Sequence, residues 1–555
     1  MKHQRMFTKL MSTTLLAGTT FVSSLLSAHG PEAPGQNHGQ QQEQVWQLDE
    51  AAIGTVSLKN SCSAEVQTTF NRGIALLHSF WFSAAIDTFS EVLAHDPKCA
   101  MAEWGKAMSH WGNPLGNNRA KEQLKLGAAA VTRARKLPTG SSRERDYIDA
   151  VGLLYENYTT TEDHPRAVAF EKAMEKLVQR FPEDGEAAIF YAMALNGTAD
   201  LTDKTYTQPL RAAKILEAAF EAQPNHPGIA HYIIHSYDTP SLAKYALPAA
   251  QQYAGIAPAA PHALHMPSHT FTRLGYWQES IDTNLRSADA AMAAGSPGEA
   301  LHAIDYMTYA YLQTGQDAAA SEAVPRAAEV FAQLPGNDRY IVAGAYAAAA
   351  VPTRFALERG DWVAATKVPS VKSPAPFVDA IVYFAHGIGA TRTKNIAGGN
   401  IALANLRNVE QKLQNNVYWA GRVEIHRTIV EAWLEHARGN KDAAITAMRK
   451  AVALEDASEK SAISPGPLAP AGEQLGELLL EVGRPNEALK AFSTAVEKEP
   501  GRLRGLYGAA LAAQEVGQSA LTREYFSRLL KICEKADAER PELIRARAYL
   551  AAAEL

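Results

Sequence analysis

The stretch APAGEQLGELLLEVGRPNEALKAFSTAVEKEP, residues 469–500, decides the fold. Counted from Ala469, the small residues Gly476 and Ala488 stand at positions 8 and 20, Phe492 at 24 and Pro500 at 32. Gly483, at position 15, separates two amphipathic stretches, and Gly517 repeats it 34 residues later. A window opened at Val66 returns Gly73, Ala85, Phe89 and Pro97 at the same four places. Small residues let two paired helices approach, the aromatic ring fills the gap between them, and proline, lacking an N–H, ends the second helix. Two independent four-point matches, one near each end of the chain, predict an all-α protein built from 34-residue helix–turn–helix units.

The same punctuation recurs at Gly275, Gly315, Gly360 and Gly439, each before an amphipathic second helix. The register breaks near residues 112–120, 197–207 and 393–400, where longer loops are expected. The expected organisation is N-terminal repeats over 46–180, central repeats over 181–335 and irregular helical repeats over 336–415. C-terminal repeats with a capping helix follow over 416–555. A length of 555 residues exceeds what one hydrophobic core supports, so a stack of repeats is the economical solution.

The C-terminal third resembles the tetratricopeptide repeat family. Through FNRGIALLHSFWF (70–82), HYIIHSYDTP (231–240), PHALHMPSHTFTRLGYW (261–277) and SPGPLAPAGEQLGELLLEVGRP (464–485), residues 60–535 resemble a group of exported bacterial tetratricopeptide proteins. The resemblance implies a right-handed superhelical α-solenoid and says little about chemistry.

Lys2, Arg5 and Lys9 precede an apolar segment, Leu10 to Leu26, and small residues at Ser27-Ala28. That order reads as a signal peptide over 1–28, followed by a disordered Gln-rich lead-in over 29–45, and predicts export to the periplasm. No later stretch is apolar for long enough to span a membrane. The formal charge is −5 and no basic stripe is present, so nucleic acid is not an expected partner. Three cysteines are present. In an oxidising compartment Cys62 and Cys99 could bridge successive repeats; the alternative is two small buried side chains.

The central segment carries the unusual feature. Aligned on their turns, repeats starting at Pro227 and Pro261 place His231 and His265 at position 5, and His235 and His269 at position 9. His262 takes position 2 and Asp238 position 12; in the next repeat, from Leu301, His302, Asp305 and Tyr309 take positions 2, 5 and 9. Spacings of three and four put these residues on one stripe of each first helix, the face expected to line the concave groove. Five of the histidines fall within 39 residues.

Three readings are open at this point. Neutral imidazoles suit a transition metal such as zinc or copper, with Asp238 or Asp305 completing or orienting the ligands, and an open coordination position would allow metal-dependent catalysis. A polar groove for a protein, peptide or small acidic ligand needs only the histidines as hydrogen-bond donors. A structural account pairs His231 with Asp305, or His269 with Asp238, inside a scaffold with no further chemistry. His78, Trp104 and Trp111 could extend the groove with an aromatic platform, against the plainer reading of core packing near Phe80 and Trp81. His426 with Arg422, and Glu473 with Glu477, read as charged groove wall. Ser464-Pro465-Gly466-Pro467 is a stiff loop that could fold over the groove. Nucleophile elbows, phosphate loops and redox CxxC pairs do not occur.

Overall fold

A computed structural model describes residues 48–116, 119–336, 338–537 and 539–552. The expected signal peptide and nearly all of the lead-in lie outside these residues. Among the described residues all regular structure is helical. The helices pair in chain order, as in Gln67–His78 with Phe82–His95 and Ala471–Glu481 with Pro485–Lys498. The fold is an all-α solenoid of tetratricopeptide-like helix pairs, and no helix among the described residues is long and apolar enough to cross a membrane.

The repeat signature has a direct packing cause. Phe89 is fully buried, and a Cβ on either Gly73 or Gly105 would lie within 2.7 Å of its ring. Phe492 sits in the same way between Gly476 and Gly508, where an added Cβ would approach to 2.6 and 2.2 Å. Each ring therefore fills the space between the first helices of two successive units, and the two glycines keep that space open. The turn glycines Gly483 and Gly517 have φ of 80° and 76°, which a side chain would oppose.

Among the described residues, loops occur at 112–116 and 199–206, as expected. The expected break at 393–400 does not: only Thr393, Lys394 and Asn395 leave the helix. Asn395 then caps Ile396–Lys412 by accepting from the Gly398 N–H at 2.9 Å. The long irregular connection instead runs from 457 to 470.

That connection lies across the central repeats. Glu459 N–H donates to Leu201 O at 3.0 Å, and Tyr306 OH donates to the carbonyls of Ala462 and Ser464 at 3.0 and 3.1 Å. Farther along, Trp277 Nε1 donates to Gly501 O at 2.7 Å and Leu503 N–H to Gln313 Oε1 at 3.0 Å. The superhelical turn thus closes on itself, and the concave face of the central repeats is covered by later parts of the chain.

Cys62 and Cys99 are joined by a disulfide with their Cα atoms 4.8 Å apart, tying the segment before the first helix pair to the start of the next pair; Cys533 is free and buried. Closing a loop of this length restricts the unfolded chain by about 2–4 kcal/mol. Urea denaturation of a Cys62→Ala/Cys99→Ala variant should show a loss of that order.

Candidate functional site

The first helices of three successive central units are Pro227–Ser236, the split pair Pro261–His265 and Pro267–Leu274, and Pro297–Gln313. The split arises because Pro267 has no N–H to donate, yet Met266 keeps helical angles and the axis continues. The four-residue spacing therefore still brings His265 and His269 together.

The six histidines form two groups of three. In one, His231 Nε2 lies 3.1 Å from His235 Nε2 and 3.2 Å from His262 Nε2. In the other, His265 Nε2 lies 3.0 Å from His269 Nε2, and the His302 ring centroid is 4.4 Å from that of His265. Within each group one nitrogen per ring lies within 4.8 Å of those of the other two. The groups are neighbours: the His235 and His269 centroids are 5.8 Å apart, and those of His262 and His265 6.1 Å.

The other ring nitrogens fix the tautomers. His231 Nδ1 donates to the His78 carbonyl at 2.7 Å. His265 Nδ1 donates to Asn284 Oδ1 at 2.7 Å, and Asn284 Nδ2 donates to Ser280 O, which sets the amide orientation. His269 Nδ1 donates to Asp238 Oδ2 at 3.0 Å. Burial opposes ionisation of Asp238, but Lys460, Arg273 and His269 outweigh it and hold the carboxyl well below its ordinary range. Lys460 Nζ is 3.3 Å from both Asp238 oxygens and Arg273 Nε is 3.0 Å from Oδ1.

With Nδ1 protonated on both rings, neutral His265 and His269 present two Nε2 lone pairs to each other at 3.0 Å. His231 Nε2 likewise offers one lone pair to two neighbouring nitrogens. A proton could bridge the facing pair, but burial lowers every one of these histidines. His231 and His302 are pushed down to about 3, and His265 falls well below its ordinary value through burial and the nearby His302 and His269. His302 Nδ1 is buried without a hydrogen-bond partner.

Phe80 covers the first group. Its ring centroid is 4.3 Å from that of His231 and 5.2 Å from that of His262, with the planes of Phe80 and His262 inclined by 24°. Its backbone φ of 55° is costly for a phenylalanine, and the turn that imposes it also delivers the His78 carbonyl to His231.

Several expected site residues lie elsewhere. Asp305 is fully buried against Arg354, whose Nε donates to Oδ1 at 2.7 Å, so it pairs with no histidine. Tyr309 OH accepts from Arg502 Nη1 at 2.5 Å and belongs to the closure between central and C-terminal units. Trp104 is 1% exposed, edge-on to Tyr147 and Phe190, because the first helix pairs pack it inward; it forms no groove platform. The expected pairing of His231 with Asp305 does not occur, whereas that of His269 with Asp238 does. The stripe is only partly open: His231, His265 and His269 are at most 2% exposed, with Phe80 and residues 457–470 against it, whereas His235, His262 and His302 are half-buried.

A third buried group went unforeseen. Glu186 accepts from His78 Nε2 at 3.0 Å and from His226 Nε2 at 2.8 Å, and Tyr232 OH donates to His78 Nδ1 at 2.9 Å. Here every contact pairs a donor with an acceptor, so the group satisfies itself apart from His226 Nδ1. Only the HSFWF run (78–82) hinted at it, since His78 lies far in sequence from its partners.

No protein-family model matches this chain, and no curated protein matches it. Among solved structures it is similar to a monomeric mutant of IFIT1 with m7Gppp-AAAA, at 12% identity and a TM-score of 0.37, covering 89% of this chain and 100% of that one. It is similar also to the APC/C hetero-tetramer Cut9–Hcn1, at 13% identity and a TM-score of 0.33, covering 88% and 90%. A human IFIT1 dimer with m7Gppp-AAAA is similar at 12% identity and a TM-score of 0.37, over 85% and 96%.

Proposed function

We propose that this chain is an exported, periplasmic solenoid that binds transition-metal ions, zinc or copper, in two neighbouring tri-histidine positions. One observation carries the reading: His265 and His269 face each other through unprotonated nitrogens at 3.0 Å in a site that disfavours a bridging proton. A metal ion removes the repulsion by accepting both lone pairs. Nitrogens bound to one tetrahedral ion at ~2.0–2.1 Å lie roughly 3.3 Å apart, close to the His231–His235, His231–His262 and His265–His269 separations. The acceptors His78 O, Asn284 Oδ1 and Asp238 Oδ2 behind the rings are the partners that orient metal-bound imidazoles.

His231, His235 and His262 would hold one ion, and His265, His269 and His302 the other. Three protein nitrogens leave a position open at each ion, which suits an exogenous ligand or substrate. Nitrogen-only groups favour zinc or copper over magnesium or calcium. The basic and apolar N-terminus and the Cys62–Cys99 bridge support export. The solenoid also leaves surface for a protein or peptide partner.

Untagged protein stripped with a chelator and titrated with zinc and with copper should bind two ions per chain and gain thermal stability. No uptake, or uptake that the histidine variants leave intact, would overturn the reading. Asp238→Asn should weaken the His269 group by about 10–100-fold while sparing the His231 group, because the carboxylate acts through His269. Competition with a chromogenic chelator reads both.

A further inference from the structure

A second site opens beside the histidines. A cavity of about 740 Å³ lies between the 457–470 connection and the helices Val417–Ala437, Lys441–Asp456, Ala471–Glu481 and Pro485–Lys498. That volume is in the range of small-molecule sites. Its wall includes Val452, Leu475, Leu479 and Ala491, so most of an occupant's body would meet hydrocarbon.

The polar groups are unequal. Lys204 pairs with Glu459, Arg449 with Glu487, and Lys498 with Asp456. Lys460 and Arg273 are both committed to Asp238, with Glu499 at 4.0 Å from Arg273. Half-buried Arg422, on Val417–Ala437, makes no hydrogen bond or ion pair with another described residue. The carboxyl nearest in effect, Glu455, accepts from the Ala471 N–H at 2.9 Å instead, and burial pushes it up to about 7. The cavity therefore offers one guanidinium with no hydrogen-bonded or ion-paired carboxylate, Glu455 acting on it only at longer range, beside exposed Lys490 and an apolar wall.

We propose that this cavity binds an organic carboxylate with an apolar body, its carboxylate on Arg422 and its body against Val452, Leu475, Leu479 and Ala491. A planar guanidinium takes a carboxylate through two parallel N–H donors, and the partly dry setting strengthens that pair. The chemistry is shared by a free organic acid and by the C-terminus of an apolar peptide. The inference is independent of the metal reading, since none of the six histidines lines the cavity.

Calorimetric titration of the full chain with octanoate and with octanamide tests it, with and without added zinc. Octanoate should bind saturably, and octanamide roughly tenfold or more weaker, as expected for losing a charge-assisted pair. Arg422→Gln should weaken octanoate by a similar factor and leave octanamide, metal uptake and melting temperature unchanged; Arg422→Lys should recover part of the loss. A peptide ending in Leu that displaces octanoate only with a free carboxylate would assign the site to a chain end. Failure of every peptide would assign it to a free acid. Equal binding of acid and amide, no binding of either, or octanoate affinity unaltered in a folded Arg422→Gln protein would overturn the proposal.

Discussion

Alanine at His265 is expected to empty one metal position and leave its neighbour filled. The imidazole is fixed by Asn284 behind and aimed at His269 in front, so its loss removes a ligand directly. Altering an orienting partner costs about 10–100-fold, and loss of the ligand itself should cost at least about 100-fold. Metal-dependent stability follows from the same binding. Free metal at about 1,000 times its dissociation constant stabilises a folded chain by about 4 kcal/mol per site. His265→Ala should lose the increment from its own group, and His231→Ala the increment from the other. Thermal melts with and without zinc, beside metal analysis after dialysis, read both effects. Equal metal content in wild type and both variants would refute the assignment.

A comparably large effect belongs to Arg502. Its guanidinium donates to Glu473 at 2.7 and 3.0 Å, to Glu358 at 2.7 Å and to Tyr309, all buried, and joins C-terminal to central units. Arg502→Met strands two carboxylates away from water, and breaking a buried charge pair costs about 3–5 kcal/mol. Urea denaturation should show a loss of that size or larger, together with an increase in radius of gyration as the closure loosens. The pH dependence has a definite sign. Burial already raises the Glu473 carboxyl, and removing Arg502 takes away the charge that opposes this. A carboxyl raised in the folded state binds a proton more readily there than when unfolded, so the variant should regain stability as pH falls and lose it as pH rises.

The repeat architecture was legible because its signal is local. Gly73, Phe89, Gly476 and Phe492 stand at fixed spacings, and the contact they make lies within a unit or between adjacent units. The histidine row was legible for the same reason, since His231 with His235 and His265 with His269 are set by helix periodicity alone. The surroundings were not. His78 O reaches His231 across 153 positions, and Lys460 reaches Asp238 across 222. Asp305 and Tyr309 fall on the correct stripe of Pro297–Gln313, but superhelix closure delivers Arg354 and Arg502 to them first. Burial of His231, His265 and His269, which narrows the groove wall to a partly covered centre, depends on Phe80 and on the 457–470 connection. Helix register carries no information about either.

The proposed two-ion centre is tested most directly by diffraction from crystals of untagged protein equilibrated with zinc, recorded on both sides of the zinc absorption edge. Two anomalous peaks are expected in each chain, one among His231, His235 and His262 and one among His265, His269 and His302. Each should lie about 2.0–2.1 Å from its imidazole nitrogens. Anomalous density at neither group, with His265 and His269 still turned toward each other, would contradict the account.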